Sequence, residues 1–300
     1  MLSDSRTFDL DPLPCPVDFT YSHPGQSAFR RGLIRAVEWM SGQPQLRQRY
    51  LDWSMAGKRP FESVFEAALR ILRLRAEFAG TSLLQIPATG GLLIVANHPF
   101  GIVDGLALGH LGLVLRGNVR ILTNSLLCRV PEIDPHLLPI DFSGTPQGRR
   151  LTAESRRQAI DLLARGQVVV IFPAGGVATA NRPLRGSAVD SPWHSFVGRL
   201  ATVPGTTVLP VHLAGQNSRL FQFASHLSYP LRVALIFHET RRQIGRSVQM
   251  TLGPPIPAED LLALDRDQVA RELRRRTMAL ASPALSDPDE CYIWPNHIRW

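Results

Sequence analysis

Apolar residues near the start of the chain recur at helical spacing; from residue 92 onward they gather into short runs separated by helix-patterned stretches. Phe29, Leu33, Ala36, Val37 and Met40 keep a helical rhythm with Arg30, Arg31 and Arg35 among them. Phe61, Val64, Phe65, Ala68 and Leu72 repeat it with Arg70, Arg73 and Arg75 interleaved. Two amphipathic, basic helices are predicted. Their apolar faces have two possible destinations, the domain core or a membrane interface with the arginines towards phosphates. Further on, strands are predicted from Leu92 to the residues before His98 and over 119–123, 168–172, 207–212, 231–237 and 248–252. Helical patterns cover 105–111, 152–165 and 258–280. This alternation predicts an α/β fold, a sheet sandwiched by helices. Residues 1–25, rich in Pro and polar groups, read as irregular, and the tail from Cys291 to Trp300 carries no interpretable pattern.

Composition narrows the setting. With 300 residues, 44% of them apolar, the chain can bury a substantial core. Cys15, Cys128 and Cys291 lie too far apart for a CxxC pair or a disulfide framework, which fits a reducing compartment. The start lacks the basic-then-apolar order of a secretory signal, and no apolar window of about 18 residues could span a bilayer, so a soluble or membrane-surface protein is expected. The net charge of +8 rests on arginine, because Lys58 is the only lysine. That excludes a Walker loop and leaves a Schiff-base enzyme only Lys58, in a polar turn. A basic surface suits lipid headgroups, an acidic carrier protein or nucleic acid. Nucleic acid has no supporting motif here. No Gly-x-Ser-x-Gly elbow is present, and His238-Glu239-Thr240-Arg241-Arg242 lacks the second histidine of a zinc protease.

Candidate chemistry sits where predicted strands end. The run Leu92 to Ala96 leads into Asn97-His98-Pro99-Phe100-Gly101, with Asp104 following. A general base needs a partner that fixes its tautomer and tolerates the charge it acquires, and Asp104, in the first turn of a helix, would supply both. The plainer alternative is a histidine capping a strand and an aspartate capping a helix. Ile171-Phe172-Pro173-Ala174-Gly175-Gly176 is a second strand running into a turn, whose glycines can aim amides at an oxyanion or headgroup. Leu209-Pro210-Val211-His212 leads into a third polar segment, Gly215 to Phe221. Three such ends point to one site at a common sheet edge.

Asn97-His98 with a downstream aspartate, Phe172-Pro173-x-Gly, and Leu209-Pro210-Val211, in that order, resemble the glycerolipid acyltransferases related to bacterial lysophosphatidate acyltransferase. The likeness spans roughly residues 75–255. The wording of the motifs is similar to a hemolysin-like bacterial subgroup that includes O-acyltransferases of ornithine lipids. The resemblance implies a mixed, mostly parallel sheet flanked by helices and a catalytic domain over 76–285. The N-terminal segment and membrane-facing helices would then occupy 1–75, and a tail 286–300. It further implies transfer of a fatty acyl group from acyl carrier protein or acyl-CoA to a lysolipid hydroxyl. His98 and Asp104 would be catalytic, and Asn97, Phe172, Pro173, Gly175 and Gly176 would bind substrate. No metal or cofactor, no nucleic acid partner and a peripheral position on the cytoplasmic face of the inner membrane are expected.

Departures from the family pattern shape the acceptor. Five residues separate His98 from Asp104 where the family usually has four, and His136 with Asp141 offers a decoy pair at the usual spacing. Ala174-Gly175-Gly176-Val177 replaces the common Glu-Gly-Thr-Arg, and Asn124 stands in place of a lysine. Losing two phosphate-binding cations favours a lyso-ornithine-type acceptor, unless Arg120, Arg149 or Arg182 compensates. 1-Acylglycerol-3-phosphate remains the alternative acceptor, and a non-catalytic anionic-lipid-binding scaffold the alternative of another class.

Overall fold

The structure, a computed structural model, describes residues 20, 22, 27–57, 59–124, 130–141, 144–282 and 287–295. Cys15, Cys128, Lys58, most of the irregular start and the last five residues lie outside these. Helices α1 (Ala28–Ser41), α2 (Gln43–Ala56) and α3 (Val64–Ile71) precede β1 (Arg75–Gly80) and β2 (Gly91–Ala96). Then follow α4 (Ile102–Arg116), β3 (Arg120–Asn124), β4 (Leu137–Ile140), α5 (Pro146–Ala164), β5 (Val168–Ile171), α6 (Phe196–Ala201) and β6 (Thr206–Leu213). The chain continues through α7 (Arg219–Leu227), α8 (Tyr229–Ala234), α9 (Ile236–Gln243), β7 (Ser247–Leu252), β8 (Ile256–Pro257) and α10 (Arg266–Met278).

The strands form one sheet in the order β1-β7-β6-β2-β5-β3-β4, with β8 alongside β6. Pairing is parallel from β6 through β2, β5 and β3 to β4 and again between β1 and β7; β6 meets β7 and β8 antiparallel. The sheet is mixed and mostly parallel, as expected. Every residue of the central strand β2 is buried, which is why it reads as an unbroken apolar run. Leu92, Ile94 and Ala96 face a core built with α3 and α4, whereas Leu93 and Val95 face a second core with α5, α6 and α10.

The two amphipathic helices meet different fates. In α3 the apolar face is spent on the first core, with Phe65 and Leu69 buried, and Ser63 and Glu66 close a reciprocal capping box at its start. Phe61 lies outside this helix, at φ +63° and fully exposed. In α1 the face turned inward carries Ile34 and Glu38, while Phe29, Leu33, Ala36 and Met40 form an exposed apolar stripe. α1 packs on α8 and α9.

The strand expected over 231–237 is helical, forming α8 and the start of α9. A short apolar run does not by itself distinguish strand from buried helix. Here Pro230 stands in the first turn of α8, which starts a helix at no hydrogen-bond cost, and the helical period turns Arg232 and Ala234 into the interior. β1 lies outside the predicted strands because it is an edge strand with mostly exposed residues, and its polar–apolar alternation lasts only from Arg75 to Phe78.

Candidate active site

The chain leaves β2 through residues that are each tied down. The Asn97 side chain donates to Leu213 O (2.9 Å) and accepts from Leu213 N–H (2.7 Å), clipping the ends of β2 and β6 together. It does not line the cleft. His98 is fixed at its backbone: its carbonyl accepts from Ala178 N–H at 2.7 Å and its N–H donates to Asp190 Oδ1 at 3.2 Å.

Gly101, at φ +97°, turns the chain into α4, and Asp104 is the third helical residue. Its Oδ2 accepts from the N–H groups of Phe100 (2.8 Å) and Gly101 (2.9 Å) and lies 2.9 Å from His98 Nδ1. The carboxylate is fully buried and sits at the positive end of the helix dipole. The five-residue spacing thus accommodates the turn that brings the acid back under the ring. His98 stacks on Phe172, centroids 4.0 Å apart and planes 25° from parallel. Nδ1 faces the Asp104 carboxylate, so Nε2 on the other edge of the ring is the nitrogen left for the cleft.

Phe172 to Gly175 form a turn in which Gly175 N–H donates to Phe172 O at 3.0 Å. The Gly175 amide, expected to serve an oxyanion, is therefore committed to the turn. The N–H groups of Gly176 and Val177 have no acceptor among the described residues. Gly175 has φ +70°, and a β-carbon there would lie 3.3 Å from Nε2 of His194. Packing around His194, and then the charge of Arg156, hold its pKa below the ordinary value.

Behind this turn lies machinery that motif reading did not reveal. Arg232, 3% exposed, donates to Val177 O and Thr179 Oγ1, with its guanidinium over the rings of Phe221 (5.0 Å) and Trp294 (4.9 Å). Burial pulls its pKa down to about 10. Gln222 accepts from Ala180 N–H (2.8 Å), and His226 Nε2 lies 2.8 Å from Ala180 O. Asp190, which holds His98 N–H, also accepts from Trp193 Nε1 (3.0 Å), and burial pushes its carboxyl up to about 6.

The tail completes this support. Tyr292 N–H donates to Asp190 O (2.9 Å), Trp294 Nε1 to Ser191 Oγ (2.9 Å), and Ile293 N–H to Asn181 Oδ1 (3.0 Å). Arg274 of α10 grips the carbonyls of Pro288 and Glu290.

His98, Phe172, Pro173, Gly175 and Gly176 share one cleft of about 550 Å³, walled by Leu122, Ile140, Ile171, Phe196, Val233 and Ile236. Asn124 and Arg156 also line it; Arg120, Arg149 and Arg182 do not. His136 is elsewhere, packed edge-on against Phe65 (5.2 Å) with Nδ1 3.3 Å from Val119 O, and burial lowers its pKa. Glu239 accepts from Ser218 N–H at 2.9 Å, just ahead of α7.

The α/β sheet thus presents, at a strand end, a partly buried His98 against a fully buried Asp104, opening on a mostly apolar cleft. The profile of the family described as Acyltransferase matches residues 53–282, and the chain belongs to that family. It is similar to the lyso-glycine lipid O-acyltransferase of Phocaeicola vulgatus, 29% identical over 199 residues, covering 64% of this chain and 68% of the relative. It is also similar to the protein of the same name from Bacteroides thetaiotaomicron, 28% identical over 201 residues, covering 64% and 70%. Among solved structures, the 1-acyl-sn-glycerophosphate acyltransferase PlsC of Thermotoga maritima aligns at 14% identity and a TM-score of 0.44, covering 84% of this chain and 95% of that one.

Proposed function

We propose that this acyltransferase moves a fatty acyl group from a thioester of acyl carrier protein or coenzyme A to the hydroxyl of an amino-acid lysolipid. The observation that carries the reading is the His98–Asp104 pair, 2.9 Å apart, beside an apolar cleft large enough for part of an acyl chain. The names of the two relatives support a lysolipid acceptor. Their glycine lipid widens the lyso-ornithine expectation to amino-acid lysolipids generally.

His98 Nε2 takes the hydroxyl proton as the oxygen attacks the thioester carbonyl carbon. Asp104 holds the tautomer and stabilises the imidazolium. Negative charge gathers on the former carbonyl oxygen, where the unspent amides of Gly176 and Val177 are available to receive it. Collapse of the intermediate breaks the carbon–sulfur bond; the leaving thiolate takes the proton back from His98, giving an ester and a free thiol. The sequence as written requires neither metal nor cofactor. Asn97 acts here by fixing the end of β2 rather than by touching substrate.

Peripheral membrane binding through α1 is part of this reading. Phe29, Leu33, Ala36 and Met40 form an exposed stripe without cover from the described residues, and α1 packs on α8, which helps line the cleft. In this reading the enzyme works on the cytoplasmic face of the inner membrane, where acyl thioesters are supplied.

Thiol release from a long-chain acyl thioester in mixed micelles tests the function, with lyso-glycine lipid, lyso-ornithine lipid and lysophosphatidate offered separately. Acceptor-dependent turnover lost in His98→Ala and retained in His136→Ala is expected. Liposome binding with no turnover on any acceptor would instead favour a non-catalytic scaffold.

A further inference from the structure

The cleft is lined by two arginines and two histidines, and by no aspartate or glutamate among the described residues. Such a lining concentrates anions. One of its cations is already spent: Arg232 is buried, hydrogen-bonded to Val177 and Thr179 and enclosed by two aromatic rings. It holds the wall of the site together.

Arg156 differs in exposure and in hydrogen bonding. It is exposed on α5, and its guanidinium rests 4.9 Å from the ring centre of Phe196, which also lines the cleft. The two acids of α5 are both engaged by its neighbour: Glu154 bonds Arg157 at 2.8 Å, and Asp161 lies 3.7 Å from the same guanidinium. Arg156 is left without a carboxylate among the described residues. Nor is it remote from the reacting centre, because its charge acts on His194, whose ring lies against Gly175 in the turn that begins with Phe172, the residue stacked on His98.

We propose that Arg156 is the specificity-determining cation of the cleft, pairing with the carboxylate or phosphate of the acceptor's headgroup while Phe196 steadies the guanidinium. A planar guanidinium receives either group through two parallel hydrogen bonds, and stacking limits the orientations it loses on binding. His194, held below its ordinary pKa, serves beside it as a neutral hydrogen-bonding partner at neutral pH. Arg156 thereby compensates for the missing cations, a role for which Arg120, Arg149 and Arg182 were the candidates in the sequence.

The inference rests on the acyltransfer reading, so its test includes an arm that does not. A short-chain N-acylglycine carries a carboxylate and no hydroxyl to acylate; its affinity for the full chain, titrated in micelles, should fall about tenfold or more in Arg156→Gln and partly recover in Arg156→Lys. The uncharged N-acylglycine amide should bind wild type and Arg156→Gln alike. Equal carboxylate affinity in wild type and Arg156→Gln overturns the proposal whether or not the enzyme turns over. In steady state, Arg156→Gln should raise KM for carboxylate and phosphate acceptors and leave the donor KM and kcat near wild type. A rise confined to the donor KM would assign Arg156 to a donor phosphate and overturn the acceptor role. Absence of wild-type turnover alongside Arg156-dependent binding would count against the acyltransfer reading alone.

Discussion

Gly215 faces the ring of Phe100 so closely that a β-carbon at 215 would lie 2.5 Å from Cζ, and its φ of +118° excludes most side chains independently. Phe100 is one of the two backbone donors to Asp104, so this contact between the loops leaving the parallel strands β2 and β6 bears on the placing of the carboxylate. Gly215→Ala should destabilise the protein by about 1–3 kcal/mol. It should also lower kcat beyond what the unfolded fraction explains, read by parallel melting curves and turnover at a temperature where the variant is folded.

Asp104→Asn tests charge separately from orientation. The amide oxygen can take the place of Oδ2, keeping the bonds from Phe100 and Gly101 and the approach to His98 Nδ1, so what is lost is the negative charge that stabilises the imidazolium. A fall in kcat of about 100-fold or more is expected with only a small change in melting temperature. Unchanged kcat would leave Asp104 as a helix cap.

Trp294→Ala removes an aromatic face from the buried Arg232 guanidinium, along with the bond to Ser191 Oγ. A stability loss of about 2 kcal/mol is expected. Deleting residues 287–300 should lower stability and kcat further, because Asp190 then loses the Tyr292 N–H contact while still holding His98. Thermal melts and turnover of the two variants decide it.

His212, on β6 and 8% exposed, is held by burial at a pKa of about 4 against an ordinary 6.5. The unfolded chain binds this proton more readily, so the contribution of His212 to stability is intact above about pH 6.5 and is lost as pH falls towards 4. The full swing is about 3 kcal/mol. His212→Gln should flatten the decline in melting temperature between pH 6.5 and 4. A pH profile parallel to wild type would show that His212 does not titrate in the fold.

What was legible in the sequence follows from burial. β2, β5 and β6 are covered on both faces and read as apolar runs; β1, exposed at an edge, does not, and the Leu231–Phe237 run is apolar in a way either element allows. His98 and Asp104 were visible because both lie on one local turn. Asp190 and Arg232 were not, since their partners His98 and Val177 are 92 and 55 residues away and are mostly backbone groups, which leave no side-chain signature. Arg156 is a similar case: Arg149 lies on the same face of α5 two turns earlier, about 10 Å along the axis, and a periodic pattern does not tell which turn reaches the cleft.

The strap formed by residues 287–295 gives the enzyme a sequence of events in time. A chain emerging from the ribosome through α10 already carries every strand of the described residues, both cores and the His98–Asp104 pair, yet Arg232 then has the Phe221 ring without that of Trp294, and the Asp190 carbonyl lacks the Tyr292 N–H. Chain order thus puts the sheet and the His98–Asp104 pair before the segment that ties Asp190 and covers Arg232, so a chain halted after α10 should be folded at its sheet and low in acyl transfer.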